Sequence, residues 1–333
     1  MQHVAFPATP HFNGQTVGPV QCQCGIMDAN KLGLISVRLH YFQMVAQLGS
    51  IRAAAQALNI APSAISRTIR SLEDAIGIPL FERVRQRLKL TSAGETLVYH
   101  ARTSTAELNR GCAIINDLTG LRRGKIGVVA VESVARGLLP SILAEFWRQM
   151  PNITVEVKTA GSQEALKLVV DGEAEFGIAF DARVPSGALR LAGANLSLGA
   201  LLWPTHRLAK HKEIKLRDFS GERIFLSDAS LALRASIEGA LQESRIEFDP
   251  RAVTNSIDLM AKCVVGQMGI AFQTRVGVEN ELSRGELVFV PLRDPVLRPR
   301  RLALAARGRN FPTEPSARLA KLLSAAIEKL DGT

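Results

Sequence analysis

Two arginines and two serines share one side of a helical pattern that runs from position 62 to 76. At 100° per residue, Ser63, Arg67 and Arg70 lie opposite the aliphatic residues of this segment, and Ser66 lies on the flank. Guanidinium groups pair with guanine edges and with phosphates, and hydroxyls form hydrogen bonds with either. The pattern is therefore typical of a helix that reads duplex DNA. A charged face exposed only to water is the alternative on this spacing alone.

A basic hairpin is predicted directly after this helix. Gly77 ends the helix, and two short extended runs follow at 80–83 and 87–90. The hairpin carries three further arginines: Arg83, Arg85 and Arg87. Such a wing would lie along the phosphate backbone or reach a minor groove. Its position after a basic helix favours DNA binding over a hairpin that is only solvent-exposed surface.

The elements that position the basic helix are predicted from the residues just before it. Ser50 caps a short alanine-rich helix, and a turn follows at 59–61. Pro62 suits the first turn of the next helix, because its missing N–H costs nothing there. The buried stripe of that next helix is predicted to contain Ile65, Ile69, Leu72 and Ile76. Two helices joined by a tight turn form a helix-turn-helix, whose second helix presents its side chains to DNA.

A long helix is predicted after the hairpin, from a cap at Thr91 to Leu118. Residues at alternating spacings of four and three form a seam along it: Leu97, Ala101, Ser104, Leu108, Gly111, Ile115 and Leu118. This spacing is typical of a coiled coil and predicts that two copies of the chain associate here. Packing of the helix against its own domain is the alternative.

The distribution of charge along the chain favours a polyanionic partner. The 333 residues carry a net charge of +10, and the segment from 37 to 125 holds thirteen basic and six acidic residues. A content of 47% hydrophobic and 22% charged residues excludes a disordered or fibrous chain. No apolar run approaches the roughly 20 residues that span a bilayer, so we expect a cytoplasmic protein with no membrane partner.

Four cysteines are too few and too scattered for a disulfide framework. Cys22 and Cys24 lie in a turn-rich segment, residues 1–34, that we interpret as a flexible tail, and Met27 is an alternative start of translation. These two cysteines with His11 could bind a soft metal, but zinc ligands normally come as two close pairs. The sequence therefore predicts no metal and no cofactor.

A resemblance to the LysR-type transcriptional regulators covers the segment LHYFQMVAQLGSIRAAAQALNIAPSAISRTIRSLEDAIGIPLFERVRQRLKLTSAGETL. Matches at fixed spacing carry it: Gly49-Ser50, Ala53-Ala54, Ser66-Arg67, Leu72-Glu73, Gly77, Pro79 to Arg83, Leu90-Thr91 and Ala93-Gly94. It implies an N-terminal all-α winged helix-turn-helix at 35–94 and a linker or dimerisation helix at 95–122. The family often has Ser-Gln where this chain has Ala61-Pro62, so its base preference does not carry over.

From residue 123 to 333 the resemblance is weaker and implies an α/β effector-binding domain of two lobes, similar to periplasmic binding proteins. Apolar strands that alternate with amphipathic helices predict parallel strands with crossover helices in this half. We expect lobe 1 at about 123–198 and 275–333, and lobe 2 at about 199–274.

Small ligands bind such open sheets beyond the carboxyl ends of the strands, where helices begin. The effector-binding residues predicted there are Ser133, Ser162, Ser227, Asn255 and Thr274. In the family, hydroxyls at similar positions hold the effector, often a small carboxylate, which is the ligand that the resemblance implies. Gln267 stands where the family usually has glycine, and its longer side chain is expected to narrow the pocket.

The sequence thus predicts a sequence-specific DNA-binding transcriptional regulator, whose binding or bending of DNA a small molecule in the C-terminal domain controls. The expected partners are double-stranded DNA, that effector, RNA polymerase, and further copies of the chain in a homodimer or homotetramer. An enzyme is not expected, because the chain has no GxGxxG, GxSxG, HExxH or P-loop motif. A non-specific nucleoid protein is a further alternative, which the effector-like half argues against.

Overall fold

The structure is a computed structural model, and it describes residues 29–30, 32–84, 87–118, 124–229, 231–244, 246–308, 311 and 313–332. Most of the predicted tail, with Met27 and both of its cysteines, lies outside the described residues. So do the wing residue Arg85 and the side chain of Arg87.

The N-terminal domain contains the predicted helix-turn-helix and hairpin. Its elements are α1 (Val37–Leu48), α2 (Ile51–Leu58), α3 (Pro62–Ile76), β1 (Phe81–Val84), β2 (Arg87–Leu90) and α4 (Ser92–Leu118). The hydroxyl of Ser50 accepts a hydrogen bond from Ala53 N and begins α2. Asn59 and Gly77, with φ angles of 55° and 80°, end α2 and α3 in the left-handed region. Local capping therefore fixes both ends of the turn.

One apolar core holds this domain together. Its buried members are Phe42, Val45, Ala54, Ala55, Ile65, Ile69, Leu80 and Val98. Alanines on α2 let α3 cross it closely, as the sequence predicts. The prediction that Ile76 is buried is wrong, since its side chain is 44% exposed. The eight residues of α2 are too few to cover the last turn of the fifteen-residue α3.

The long helix α4 packs partly against its own chain. Gln43 Nε2 of α1 donates a hydrogen bond to Thr105 Oγ1 at 3.1 Å, and Ala101 of the predicted seam is 3% exposed. Leu108 and Ile115, further along the seam, are 37% and 53% exposed. Ala101 is thus buried within the chain, whereas Leu108 and Ile115 in the second half of α4 stay open to solvent. None of the helices in the described ranges is both long enough and apolar enough to cross a membrane.

The C-terminal domain consists of two lobes. Chain order gives β3 (Gly124–Ala130), α5 (Glu132–Arg136), α6 (Leu138–Gln149), β4 (Ile153–Thr159), α7 (Ser162–Val170), β5 (Phe176–Phe180), β6 (Leu189–Leu196), β7 (Gly199–Leu202), β8 (Ile224–Ser227), α8 (Ala232–Ser244), β9 (Pro250–Thr254), α9 (Ile257–Val265), β10 (Ile270–Gln273), α10 (Glu279–Ser283), β11 (Val288–Pro291), β12 (Arg300–Ala306) and α11 (Glu314–Glu328). A short 3-10 turn at Leu216–Phe219 precedes β8.

Each lobe is built on a five-stranded mixed sheet. The order in lobe 1 is β4-β3-β5-β12-β6, with β3 parallel to β4 and β5, as predicted, and β12 antiparallel to β5 and β6. The order in lobe 2 is β11-β7-β10-β8-β9. The prediction that lobe 2 ends near residue 274 is wrong for Val288–Pro291, because this strand pairs with β7. The chain therefore returns to lobe 1 only between β11 and β12.

An ionic contact joins α4 to lobe 1. Arg102 Nη1 lies 2.9 Å from Asp171 Oδ2 and 3.4 Å from Glu173 Oε1, in the turn that follows α7. Gly172 between them has φ +77°, and a Cβ there would lie 2.6 Å from Ala106 Cβ of α4. The turn therefore needs glycine both for its backbone conformation and for its close approach to the helix.

Candidate DNA-binding surface and effector cleft

The outer face of α3 is polar and cationic, as the sequence predicts. Ser63, Arg67 and Arg70 are exposed, and Ser66 is half-buried. Among the residues that the structure describes, neither of these arginines forms an ion pair. The face therefore offers two guanidinium groups and two hydroxyls to an external partner.

Glu73 of α3 forms hydrogen bonds with the wing. Glu73 Oε1 accepts hydrogen bonds from Leu80 N at 2.8 Å and from Phe81 N at 3.1 Å. The acid thus fixes the first strand of the wing against α3 and takes no part in the cationic face. Leu72-Glu73 is one of the matches to the family's DNA-binding segment. The periodicity of α3 alone, however, does not predict that Glu73 bonds to the backbone of the wing.

The wing is an antiparallel hairpin held close to α4. Phe81 pairs with Leu90, and Arg83 pairs with Leu88, which leaves the side chains of Arg83 and Lys89 exposed. Gly94, at the start of α4, has no room for a side chain, because a Cβ would lie 2.1 Å from the Leu80 carbonyl oxygen. The hairpin is therefore locked in position relative to α3 and α4.

The start of α3 departs from the usual capped helix. Ala61 occupies the N-cap position without a side-chain hydrogen bond, and Pro62 is the first helical residue. Both are exposed. The N-terminal end of α3 thus carries two exposed apolar groups. Such groups can contact thymine methyls, but they cannot form hydrogen bonds with a base edge.

A cavity of about 610 Å³ opens between the two lobes. Its walls come from the carboxyl ends of lobe 1 strands, the start of α7, and the start of α9 in lobe 2. The residues that line it are Val131, Glu132, Ser133, Thr159, Ala160, Gly161, Ser162, Glu164, Phe180, Leu231, Leu233, Asn255, Ser256, Ile257, Gln273, Thr274 and Arg300. A volume of this size accommodates a small metabolite.

The structure brings four of the five predicted effector-binding residues to this cavity: Ser133, Ser162, Asn255 and Thr274. Ser227 is buried but does not line it. The prediction that Gln267 narrows the pocket is wrong. Gln267 is exposed in the turn after α9, with φ 56°, and lies outside the cavity lining. Its backbone conformation explains why glycine suits this position.

Two of the four residues are largely buried and line the cavity with a hydroxyl group. Ser133 and Thr274 are 7% and 6% exposed, and neither side chain has a hydrogen-bond partner among the described residues. Each hydroxyl is therefore available to donate a hydrogen bond to a ligand in the cavity or to accept one from it. Ser162 Oγ, by contrast, already accepts a hydrogen bond from Phe180 N at 3.1 Å.

Sequence reasoning missed three charged residues that line the cavity: Arg300, Glu132 and Glu164. Arg300 begins β12, and since β12 runs antiparallel to β5, its first residue lies at the carboxyl edge of the sheet. Its guanidinium is 2.5 Å from Asp181 Oδ2 and donates to Ser236 Oγ at 2.9 Å. Burial lowers the pKa of this guanidinium from its usual value, and the charge of Asp181 offsets part of that change. Glu132, the first residue of α5, reaches the start of α9.

The described residues contain no cluster of three or more histidine, cysteine, aspartate or glutamate side chains that could hold a metal ion. Cys112 is buried and Cys263 is half-buried on α9, and both are free thiols. The cavity lining offers hydroxyl and amide groups, one paired guanidinium, two carboxylates and apolar side chains.

Two family models match the chain. Residues 37–95 match the bacterial regulatory helix-turn-helix protein, lysR family, and residues 119–328 match the LysR substrate binding domain. Among curated proteins, the chain is similar to a probable nitrogen assimilation transcriptional activator of Synechococcus elongatus, at 29% identity over 76% of this chain and 82% of that protein. It is also similar to a probable RuBisCO transcriptional regulator of Synechocystis sp., at 25% identity over 84% and 83%.

Solved structures have the same fold. Full-length OxyR from Pseudomonas aeruginosa superposes on this chain with a TM-score of 0.61 at 18% identity, and the match covers 87% of this chain and 93% of OxyR. Full-length CbnR in complex with its target DNA covers 87% of this chain over 98% of its own, with a TM-score of 0.55 at 18% identity. At these identities the likeness establishes the architecture.

Proposed function

Because the chain belongs to the LysR family of transcriptional regulators, with a helix-turn-helix domain and an effector-binding domain, we propose specific roles for its surfaces. Ser63, Ser66, Arg67 and Arg70 contact bases and phosphates in a major groove. The wing arginines, Arg83 together with Arg85 and Arg87, contact the backbone beside it. A small molecule between the lobes changes this binding. The protein acts in the cytoplasm with RNA polymerase as a further partner.

The observation that carries the DNA contact is the exposed cationic face of α3. Arg67 and Arg70 lie one turn apart on the side of the helix opposite Ile65 and Ile69, which are buried in the domain core. A side chain held this way can enter a groove without disturbing the fold. Paired hydrogen bonds from an arginine to guanine are the commonest specific contact in a major groove.

The observation that supports effector binding is the pair of hydroxyls, those of Ser133 and Thr274, that line the cavity without a partner among the described residues. Ser133 belongs to lobe 1 and Thr274 follows the last central strand of lobe 2, so a ligand that bonds to both bridges the lobes. Ligand binding then favours one relative placement of the lobes. Because a ligand shifts a conformation only by its different affinity for the two states, effector and DNA should change each other's affinity by the same factor.

We further propose that copies of the chain associate through the open half of α4. Leu108, Ile114 and Ile115 are 37%, 38% and 53% exposed on this helix. Apolar side chains of this size on a long helix favour a helical partner, which buries them. Two winged domains in one homodimer, or more in a homotetramer, would then contact two half-sites on DNA.

The DNA assignment is tested with Arg67→Ala and a matched control, Arg190→Ala, which removes another exposed arginine, from β6 in lobe 1. DNA is selected from a random-sequence pool with the wild-type protein, and affinities are measured by fluorescence anisotropy at fixed salt. We expect Arg67→Ala to weaken binding by about 5- to 150-fold, the range for loss of a base contact of about 1–3 kcal/mol. Arg190→Ala should bind as the wild type does.

Unchanged affinity of Arg67→Ala for the selected DNA contradicts the assignment of α3. A wild-type protein that binds the selected DNA no more tightly than random duplex at equal salt favours a nucleoid protein instead. The cleft is tested by a melting-temperature screen of small metabolites, because a ligand that binds only the native state stabilises it. A ligand whose effect persists in a Ser133→Ala, Thr274→Val double variant does not bind in this cavity.

A further inference from the structure

The N-terminus of α9 in lobe 2 is occupied by a carboxylate from lobe 1. Glu132 accepts hydrogen bonds from Ile257 N at 3.2 and 3.1 Å through its two oxygens, and from Ser256 Oγ at 3.3 Å. Ser256 is the N-cap of α9, and its hydroxyl oxygen accepts from Leu259 N at 3.3 Å. Two N–H groups that a helix start leaves without partners are thus satisfied, one of them across the cleft.

This contact uses the feature of the cleft that best attracts an anion. The start of a helix carries a partial positive charge and N–H groups aimed outward, so it commonly binds carboxylates and phosphates. Here both oxygens of Glu132 already lie against Ile257 N. An anionic ligand must displace a side chain whose own charge repels it.

The other charges around the cavity also oppose an anion. Glu164, at the start of α7, is exposed at the cavity wall. The guanidinium of Arg300 is countered by Asp181 at 2.5 Å. Glu132 and Glu164 thus line the cavity as carboxylates, and the one guanidinium that lines it among the described residues, Arg300, is paired with a third. Like charges near a binding site discriminate against a ligand of the same sign.

What the cavity offers instead are neutral hydrogen-bonding groups. The Ser133 and Thr274 hydroxyls line the cavity without hydrogen-bond partners among the described residues. The Gln273 side chain is 4% exposed, and the one hydrogen bond that its amide forms among those residues is to the Met260 sulfur, at 3.7 Å. Phe180, with aliphatic side chains from both lobes, forms the apolar part of the wall. These groups match a small molecule with an apolar body and a few hydroxyl, amide or amine groups.

We propose that Glu132 is an internal anion that takes the place of a ligand carboxylate on α9, so that this cleft selects a small molecule without negative charge. The proposal rests on the proposed function, because it gives a chemical class to the ligand of the effector cleft. It departs from the small carboxylate that the family resemblance implies. Glu132 is accordingly a specificity residue, which acts by occupying the position where an acid would bind.

The test is chemical rescue. Glu132→Ala removes the carboxylate and leaves the α9 N-terminus open, so acetate from solution should fill the position. Melting temperatures of the full-length variant are compared in sodium acetate, in sodium chloride of equal ionic strength, and with acetamide. At an acetate concentration about ten times the Kd of acetate for Glu132→Ala, the folding equilibrium constant of this variant rises about tenfold. This change raises its melting temperature by about 3 °C. Acetamide, which carries no charge, should have no such effect.

Matched variants separate this site from a general effect of charge. Glu164→Ala removes another carboxylate from the same cavity wall, one that accepts no hydrogen bond from the start of α9 in the described structure, and it should not respond to acetate. Glu132→Gln keeps the shape of the side chain, so its amide still fills the position and excludes acetate. The wild-type protein should melt at the same temperature in acetate and in chloride. The last measurement stands even where Glu132→Ala fails to fold.

Several results overturn the proposal. Stabilisation of the wild-type protein or of Glu132→Gln by acetate means that Glu132 does not exclude a carboxylate. An equal response of Glu164→Ala places the effect outside the α9 N-terminus, and a folded Glu132→Ala without a response shows that the vacated position binds no anion. DNA binding of each sample is measured separately. Intact DNA binding with failed rescue contradicts the ligand class alone and leaves the regulatory function in place.

Discussion

Arg102→Met should weaken the contact between α4 and lobe 1. Arg102 Nη1 lies 2.9 Å from Asp171 Oδ2, and the two side chains are 20% and 10% exposed, so the pair is largely shielded from water. Methionine keeps an unbranched apolar stem but leaves Asp171 without its cation. Loss of a charged hydrogen bond in such a place costs about 1.5–3 kcal/mol. We expect a loss of about 2 kcal/mol, since partial exposure screens the charges.

The measurement uses the position of the two tryptophans. Trp147 and Trp203 both belong to the C-terminal domain, so tryptophan fluorescence reports unfolding of that domain even though the substitution is in α4. With a urea m value of about 2 kcal/mol/M, a loss of 2 kcal/mol lowers the midpoint by about 1 M. Lys125→Met is the control, because Lys125 and Glu156 form a pair whose side chains are 45% and 51% exposed. Such surface pairs contribute about 0.5 kcal/mol or less.

A double variant tests the physical reason. In Arg102→Met combined with Asp171→Asn, the carboxylate nearest to Arg102 is removed together with its cation, so the loss should be smaller than for Arg102→Met alone. The reasoning fails if Arg102→Met and Lys125→Met have equal midpoints, because α4 would then not be docked through this pair. It also fails if the double variant loses the sum of the two single losses.

Two further predictions concern stability. Burial raises the pKa of Glu175 above its ordinary 4.5, although a hydrogen bond from Ser316 and the charge of Arg110 act in the opposite direction. Because the pKa is raised in the folded state, the wild type loses stability as the pH rises above 4.5. The free energy of unfolding of Glu175→Gln, measured with urea, should therefore equal that of the wild type in acid and exceed it at neutral pH. A difference that is constant with pH would contradict this. Gln267→Gly should raise the free energy of unfolding by about 1 kcal/mol, because residue 267 has φ 56°. A melting temperature lower than that of the wild type would show that the Gln267 side chain has a stabilising contact.

The DNA-binding half is predictable because its signals are local. Ser50, Gly77 and Thr91 each begin or end an element through contacts within a few residues, and all three act in the structure as the sequence predicts. The spacing of aliphatic residues likewise identifies Ile65 and Ile69 as core. The same spacing wrongly predicts that Ile76 is buried, because the exposure of Ile76 depends on where the neighbouring helix α2 ends.

The effector half is less predictable because its signals are long-range. Val288–Pro291 joins lobe 2 through pairing with β7, which lies about ninety residues earlier, and no local pattern records that partner. Arg300 reaches the cleft because β12 is antiparallel to β5, so that its first residue lies at the carboxyl edge of the sheet. The sequence pattern predicts the hydroxyls of Ser133 and Thr274 at strand ends, but it does not show the direction of β12 and so does not predict Arg300.

The helix α7 connects the effector cavity to α4, the helix that follows the DNA-binding domain. It begins at the cavity with Ser162, and nine residues later its C-terminal turn holds Asp171 against Arg102 of α4. A helix of this length spans about 13 Å and is stiff, so a displacement at one end is carried to the other. Coupling requires that a ligand bind one placement of α7 better than another. Arg102→Met should then retain ligand-induced stabilisation of the C-terminal domain and DNA binding, and lose the change of DNA affinity that a cleft ligand causes in the wild type. Retention of that change would mean that the signal leaves the cleft by another contact.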